Sequence, residues 1–208
     1  MKKMDEVTIH FLIKIGKRQF MYELYELGLI FMNDLNYFIQ YEENELRGDK
    51  EEGLSRIEQA TNIKILHNGN LLAHSNSAQL KLRDYNVKGN IYSLIAITSL
   101  DNPKKIRIDK KNKKLGDYFV LIYNVKEFIQ RFKNKINDQQ YEYEYNLVKY
   151  YNPKEYSGPL NVFCKQNNFE YQQEFRFFIK RNDSGPLKIT IGSIQDIADI
   201  HNIERFVE

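Results

Sequence analysis

One run near the middle of the chain, Ile91-Tyr92-Ser93-Leu94-Ile95-Ala96-Ile97-Thr98-Ser99, is almost continuously apolar and rich in β-branched and aromatic side chains. At this length such a run reads as a strand, and a strand without a polar face is covered on both faces. The rest of the chain has to supply those coverings. Two further strand-like runs precede it, Ile57 to Leu66 and Leu71 to Leu82. Asn68-Gly69-Asn70 and Lys88-Gly89-Asn90 punctuate the three runs as hairpin-type turns.

The opening gives the first candidates for packing. Val7, Ile9, Phe11, Ile13 and Ile15 alternate with Thr8, His10, Leu12 and Lys14, which predicts a strand with one buried face. Gly16 ends it. Phe20, Met21, Leu24 and Leu27 then recur at helical spacing, and Gly28 stands where a left-handed residue closes a helix. Leu29 to Met32 reads as a short strand, and Asn33-Asp34 as a cap for a helix over Leu35 to Tyr41. Further on come a strand at Tyr118 to Tyr123 and a helix over Val125 to Asn137 capped by Asn124. A Tyr/Glu-alternating edge strand follows from Tyr141, then strands at Leu160 to Cys164 and Leu187 to Ile191. Ser193 is placed to cap a last helix, Ile194 to Ile200.

A chain of 208 residues suits one domain, with room for an appended hairpin. Hydrophobic residues make up 42% and charged residues 28%, so a real core can form. The single Cys164 excludes an internal disulfide and a multi-cysteine zinc site. No apolar run is long enough for a signal peptide or a membrane helix, so the expectation is a cytoplasmic protein without membrane contact. A net charge of +3 does not by itself imply nucleic acid.

Two charged segments carry an ordinary and a sharper reading each. Glu42 to Gly53 is either a solvated turn or a loop whose Glu45, Asp49 and Glu52 converge on a site. With Glu174 those carboxylates would suit a hard cation, but the strand-borne carboxylate–lysine spacing of a metal nuclease is absent, and no metal is expected. The block Lys104 to Lys114 is either a lysine-rich loop or an electrostatic hold on phosphate.

The most unusual stretch is Asn168 to Lys180, where Gln172, Glu174 and Arg176 interrupt the apolar run Phe175, Phe177, Phe178 and Ile179. Residues two apart on a strand share a face, so an amide, a carboxylate and a guanidinium would line one side. Either this is an exposed face with a Glu–Arg pair of little energetic weight, or it is an active-site strand. In the latter case the carboxylate would hydrogen-bond a ribose hydroxyl and steady a cationic sugar.

Gln172-Gln173-Glu174 resembles the Gln-x-Glu motif of ADP-ribosyltransferases, whose order of a first-strand Arg or His, a Ser/Thr strand and a Glu strand is matched by His10 or Arg18, Thr98-Ser99 and Glu174. The resemblance implies an NAD-dependent enzyme. Glu174 and Gln172 would be catalytic, and Arg176, His10, Arg18 and Ser99 would hold NAD. The chain departs from the pattern in lacking a plain first-strand Arg and a Ser two residues before Thr98. It is also similar to an uncharacterised group of bacterial and phage proteins. The shared stretches are Gly28 to Phe38, the Arg-Gly-Asp-x-x-Glu-Gly of Arg47 to Gly53, Tyr171 to Arg176, and Pro186 to Ser193. That likeness implies that the acidic loop and the Glu174 strand form one unit.

The expectation is therefore a single α+β domain over residues 1–208, a mixed and mostly antiparallel sheet with a few short helices. Its function is either ADP-ribosyl transfer from NAD to a macromolecular acceptor, or non-enzymatic binding of a protein or nucleic acid by a phage or defence-system factor.

Overall fold

The computed structural model describes residues 7–40, 49–101 and 108–206. Lys104, Lys105, Arg107 and Glu45 lie outside them. The elements run β1 (Ile9–Gly16), α1 (Arg18–Leu27), β2 (Leu29–Asp34), α2 (Leu35–Gln40), β3 (Leu54–His67), β4 (Asn70–Arg83), β5 (Gly89–Thr98), β6 (Tyr118–Ile122) and α3 (Val125–Asp138). After these come β7 (Glu142–Leu147), β8 (Lys149–Tyr151), β9 (Gly158–Pro159), β10 (Cys164–Gln166), β11 (Glu174–Lys180), β12 (Leu187–Thr190) and β13 (Ala198–Asn202). Short 3-10 turns cover Lys110–Leu115 and Asn167–Gln172. The described ladders are antiparallel except for β8 with β10, which form a separate two-stranded sheet, so the fold is α+β with mostly antiparallel sheets, and the main sheet is antiparallel rather than mixed.

β5 is the axis, as its composition predicts: every residue but Ser93 is buried. Its side chains alternate between two cores. Tyr92, Leu94 and Ala96 join the main core with α1 and α3, while Ile91, Ile95 and Ile97 join two smaller clusters on the opposite face. In α3, Phe128, Phe132 and Ile136 are fully buried, and Phe132 stacks on Phe177 of β11 with ring centroids 3.9 Å apart. Each such side chain stabilises the fold by about 1.5–3 kcal/mol. β1 is buried on both faces rather than one, with Leu12 in the main core and Ile13 and Ile15 on the other side, because a packed cluster covers each face of the sheet there. Gly28 closes α1 at φ 64°, and a Cβ there would stand 1.9 Å from the carbonyl oxygen of Gly192.

The two edges of β5 differ. One is lined by β11, from Gly89 opposite Lys180 to Ile95 opposite Glu174. The other is shared: β2 pairs beside Asn90 and Ile91, and β1 pairs from Ile95 to Thr98. Between them, at Tyr92 to Leu94, the described ladders leave that edge open. There Lys14 donates from Nζ to the Ser93 carbonyl oxygen at 2.7 Å and lies over the Tyr92 ring.

Three expected elements differ. Ile194 to Ile200 is not a helix; Ala198–Asn202 is β13, paired with β6. The Ser193 hydroxyl accepts from the Gln195 N–H in a local turn, and capture of the β6 edge outweighs weak helical spacing. Leu160 to Cys164 is mostly a turn held by the Asn161 side chain, which accepts from the Phe163 N–H at 2.9 Å, and the strand starts at Cys164. The expected Glu174 strand is also shorter at its start: Asn167–Gln172 is a 3-10 turn, and Gln173 is left-handed at φ 42°.

A buried carboxylate at the foot of a cleft

β11 is an interior strand between β5 and β7, and both of its faces are also covered from Glu174 to Ile179. Phe175, Phe177 and Ile179 enter the main core. Glu174 and Arg176 enter the other face, between the two smaller clusters, with exposures of 6% and 2%. The reading of an exposed Glu–Arg pair is thereby overturned: a flanking strand on either side and a layer over each face remove the solvent it needs.

Burial of charge at this depth requires partners. Arg176 donates from Nη1 and Nη2 to the two oxygens of Glu52, at 2.7 and 2.8 Å, and from Nε to Glu174 at 2.8 Å. A further bond runs from Nη1 to the Val162 carbonyl oxygen. Four of its five N–H donors are thus used within the protein. Lys165, from β10, donates from Nζ to Glu174 Oε1 at 2.5 Å and to Gln172 Oε1 at 2.7 Å. The 3-10 turn brings Gln172 there, so the amide and the carboxylate meet through a lysine rather than through a shared strand face. The Glu174 backbone N–H donates to the Tyr150 hydroxyl at 2.9 Å.

Burial alone would push the Glu174 carboxyl up. The Arg176 guanidinium and the Lys165 ammonium outweigh it and hold that carboxyl well below the usual range. Asp49, also buried, has no such direct clamp among the described residues. Burial and the neighbouring Glu52 charge push it up to about 6. Of the acidic segment, Asp49 and Glu52 are thus buried rather than solvated, and Glu52 lines the cleft, while Glu45 lies outside the described residues. Among the described residues no group of three or more acids, histidines and cysteines is placed to hold a metal ion.

Glu174, Gln172 and Lys165 line a cleft of about 550 Å³, within the range of small-molecule sites. The cleft runs through the opening at Tyr92 to Leu94. Phe20, Phe31, Tyr37 and Phe38 supply aromatic wall, and Lys14, Lys17 and Lys188 supply positive charge. Asn112 also lines it. Its side chain is 1% exposed and donates from Nδ2 to the Tyr171 carbonyl oxygen at 2.9 Å, while Oδ1 is the one buried side-chain polar atom among the described residues without a hydrogen-bond partner.

The structure brings together Gln172, Glu174 and Arg176, but Arg176 is committed to Glu52, Glu174 and Val162 and acts by positioning the carboxylates. His10 is exposed on β1, and Ser99 accepts from the Thr8 N–H at 3.2 Å beyond the end of β5. Arg18 opens α1 and lies against the rings of Tyr22 and Tyr118. None of these three lines the cleft. Sequence reasoning missed Lys165, a lone cation after the apolar Val162-Phe163-Cys164. It missed Asn112 too, which sits in a lysine block that reads as solvent-facing. No known family, curated protein or solved structure matched the chain.

Proposed function

We propose that the cleft binds NAD and that Glu174 serves transfer of its ADP-ribosyl group to a macromolecular acceptor. The observation that carries this reading is Glu174 itself: a carboxylate kept ionised by two cations at the foot of a cleft, beside an amide. In such a transfer the bond from ribose C1′ to the nicotinamide nitrogen breaks, its electron pair leaves with nicotinamide, and C1′ becomes cationic. Each Glu174 oxygen accepts one side-chain hydrogen bond, from Lys165 or Arg176, and has a second lone pair for a ribose hydroxyl. A fixed negative charge there favours the cationic sugar over the neutral ground state. Gln172 orients the incoming nucleophile, which bonds to C1′ and gives up its proton to solvent as nicotinamide leaves uncharged.

The other wall residues suit the same ligand. The unpartnered Asn112 Oδ1 accepts from an amide or hydroxyl donor, both of which NAD carries. Lys14, Lys17 and Lys188 supply charge for a diphosphate, and the aromatic walls suit flat rings. The sequence resemblance at Gln172-Gln173-Glu174 points the same way, whereas the positions of His10, Arg18 and Ser99 do not add to it.

Titration of NAD while following the melting temperature tests binding. A ligand of the folded state raises it by mass action, and Asn112→Ala should reduce the rise. No rise at millimolar NAD would remove the reading. The second reading is a non-enzymatic factor that contacts a protein or nucleic-acid partner. The observation that favours it is the exposed apolar hairpin formed by β3 and β4.

A further inference from the structure

The β3–β4 hairpin stands apart from the main sheet. Its two 14-residue strands form a separate sheet with only the two-residue β9 added on the β3 side. Among the described residues β4 pairs with β3 alone, so one edge of β4 is open along its whole length. The base is anchored: Gln79 donates to the Pro153 carbonyl oxygen, Lys81 pairs with Glu51, and Arg83 donates to the Glu52 carbonyl oxygen. These are odd-numbered positions, so the even-numbered positions of β4 face away from that anchorage. There Leu80 and Leu82 are 49% and 51% exposed, and Leu72, at a bulge nearer the tip, is 67% exposed.

An open strand edge offers unpaired N–H and C=O groups, and natural proteins protect such edges with charge, proline or a short strand. β4 is long and lacks proline, its charges Lys81 and Arg83 are confined to the anchored base and its bulge lies at Leu72 near the tip, and Asn70 to Leu80 contains no Asp, Glu, Lys, Arg or Pro. Its pattern is also self-complementary. Set antiparallel to a second β4 about a twofold axis through Asn76, the regular stretch 73–79 keeps side chains of like parity on the same face. His74 then stands opposite Ala78 and Ser75 opposite Ser77, and the exposed Leu72 at the bulge comes next to Leu80 of the other copy. The exposed tip, with Leu66 and Leu71, lies beside the other copy's exposed base, with Tyr85 and Val87. No pair of like charges is brought into opposition.

We propose that two copies of this chain associate through their β4 edges, antiparallel about Asn76. The paired hairpins form one continuous four-stranded sheet across the dimer, with the clefts on the two outer bodies. This surface is independent of what the cleft binds.

Opposed residues of an antiparallel pair have Cα atoms about 4.5–5.5 Å apart, within the span a disulfide needs. The test is therefore sedimentation equilibrium of the full chain, with oxidative cross-linking of Asn76→Cys and of Asn70→Cys in a Cys164→Ser background. The expected result is a species of twice the chain mass, cross-linked at 76 and not at 70. Leu72→Lys with Leu80→Lys should give a monomer with an unchanged circular dichroism spectrum, since both side chains are exposed. A wild-type monomer would overturn the proposal and leave the edge to a different partner. A dimer that fails to cross-link at 76, or an open-ended aggregate, would also overturn it.

Discussion

The cleft foot and the hairpin invert each other. At Glu52, Glu174, Arg176 and Lys165 the protein buries charge in its interior; at Leu66, Leu71, Leu72, Leu80 and Leu82 it leaves hydrocarbon in water. They meet at residues 51–52, where Lys81 and Arg83 of the hairpin base grip Glu51 and the Glu52 backbone. A chain selected for stability alone would favour the reverse arrangement, because replacing a buried ion pair by packed apolar groups is often stabilising. Each departure therefore marks a place where something besides folding is served, and the physical cost of each can be measured.

The largest effect belongs to the buried ions. Arg176→Ala leaves Glu52 and Glu174 facing each other without their shared cation, and should cost roughly 3–5 kcal/mol in urea unfolding at pH 7. A cost below about 1 kcal/mol would show that water reaches the cluster and would break the comparison at its stronger end.

Next comes the acid that lacks a clamp. Folded Asp49 takes its proton at about 6, whereas an unfolded Asp does so at about 3.9. Between those values the folded chain holds the extra proton, so Asp49 contributes stability in acid that is lost as pH rises through about 6. The loss is on the order of 2–3 kcal/mol. Asp49→Asn should flatten that part of the stability–pH profile. Glu174 has the opposite sign: its stabilisation is present at neutral pH and lost as pH falls below about 4. A wild-type and Asp49→Asn pair of unfolding curves at pH 5 and pH 7 separates the two.

Smaller again is Asn112→Ala, which removes the unpartnered acceptor from the cleft. It should weaken NAD binding about tenfold, equivalent to about 1.4 kcal/mol, by calorimetric titration. At the hairpin, Leu72→Lys should change the stability of the isolated chain by no more than about 0.5 kcal/mol, as at other exposed positions. A larger loss would mean that this leucine already has an intramolecular cover.

How much of this was legible depends on the range of the interactions. β5 announces itself by composition, and α1 with Gly28 by helical spacing and a left-handed stop. Both are local signals. Glu174 and Arg176 stand out as polar residues in an apolar strand, and the Gln-x-Glu spacing draws attention to them. Their burial does not show, because Glu52 is 124 residues from Arg176 in sequence and is drawn from a segment that reads as a solvated turn. Lys165 and Asn112 look ordinary for the same reason: their roles come from a chain crossing, not from a pattern. β13 is misread because a Gly-Ser pair before an apolar run signals a cap, while the open edge of β6 that recruits the segment is a tertiary feature.

Under the proposed function, Glu174 is held ionised in the cleft to act on a ribose. The most direct measurement is the release of nicotinamide from millimolar NAD, followed by proton NMR, with wild-type protein and with Glu174→Gln at equal fold as judged by circular dichroism. The reading expects slow release from the wild type and a loss of at least a hundredfold in the variant, within the range that a single electrostatic group supplies to a transition state. Release that is equal in both proteins, or absent from both while NAD fails to raise the melting temperature, would contradict it.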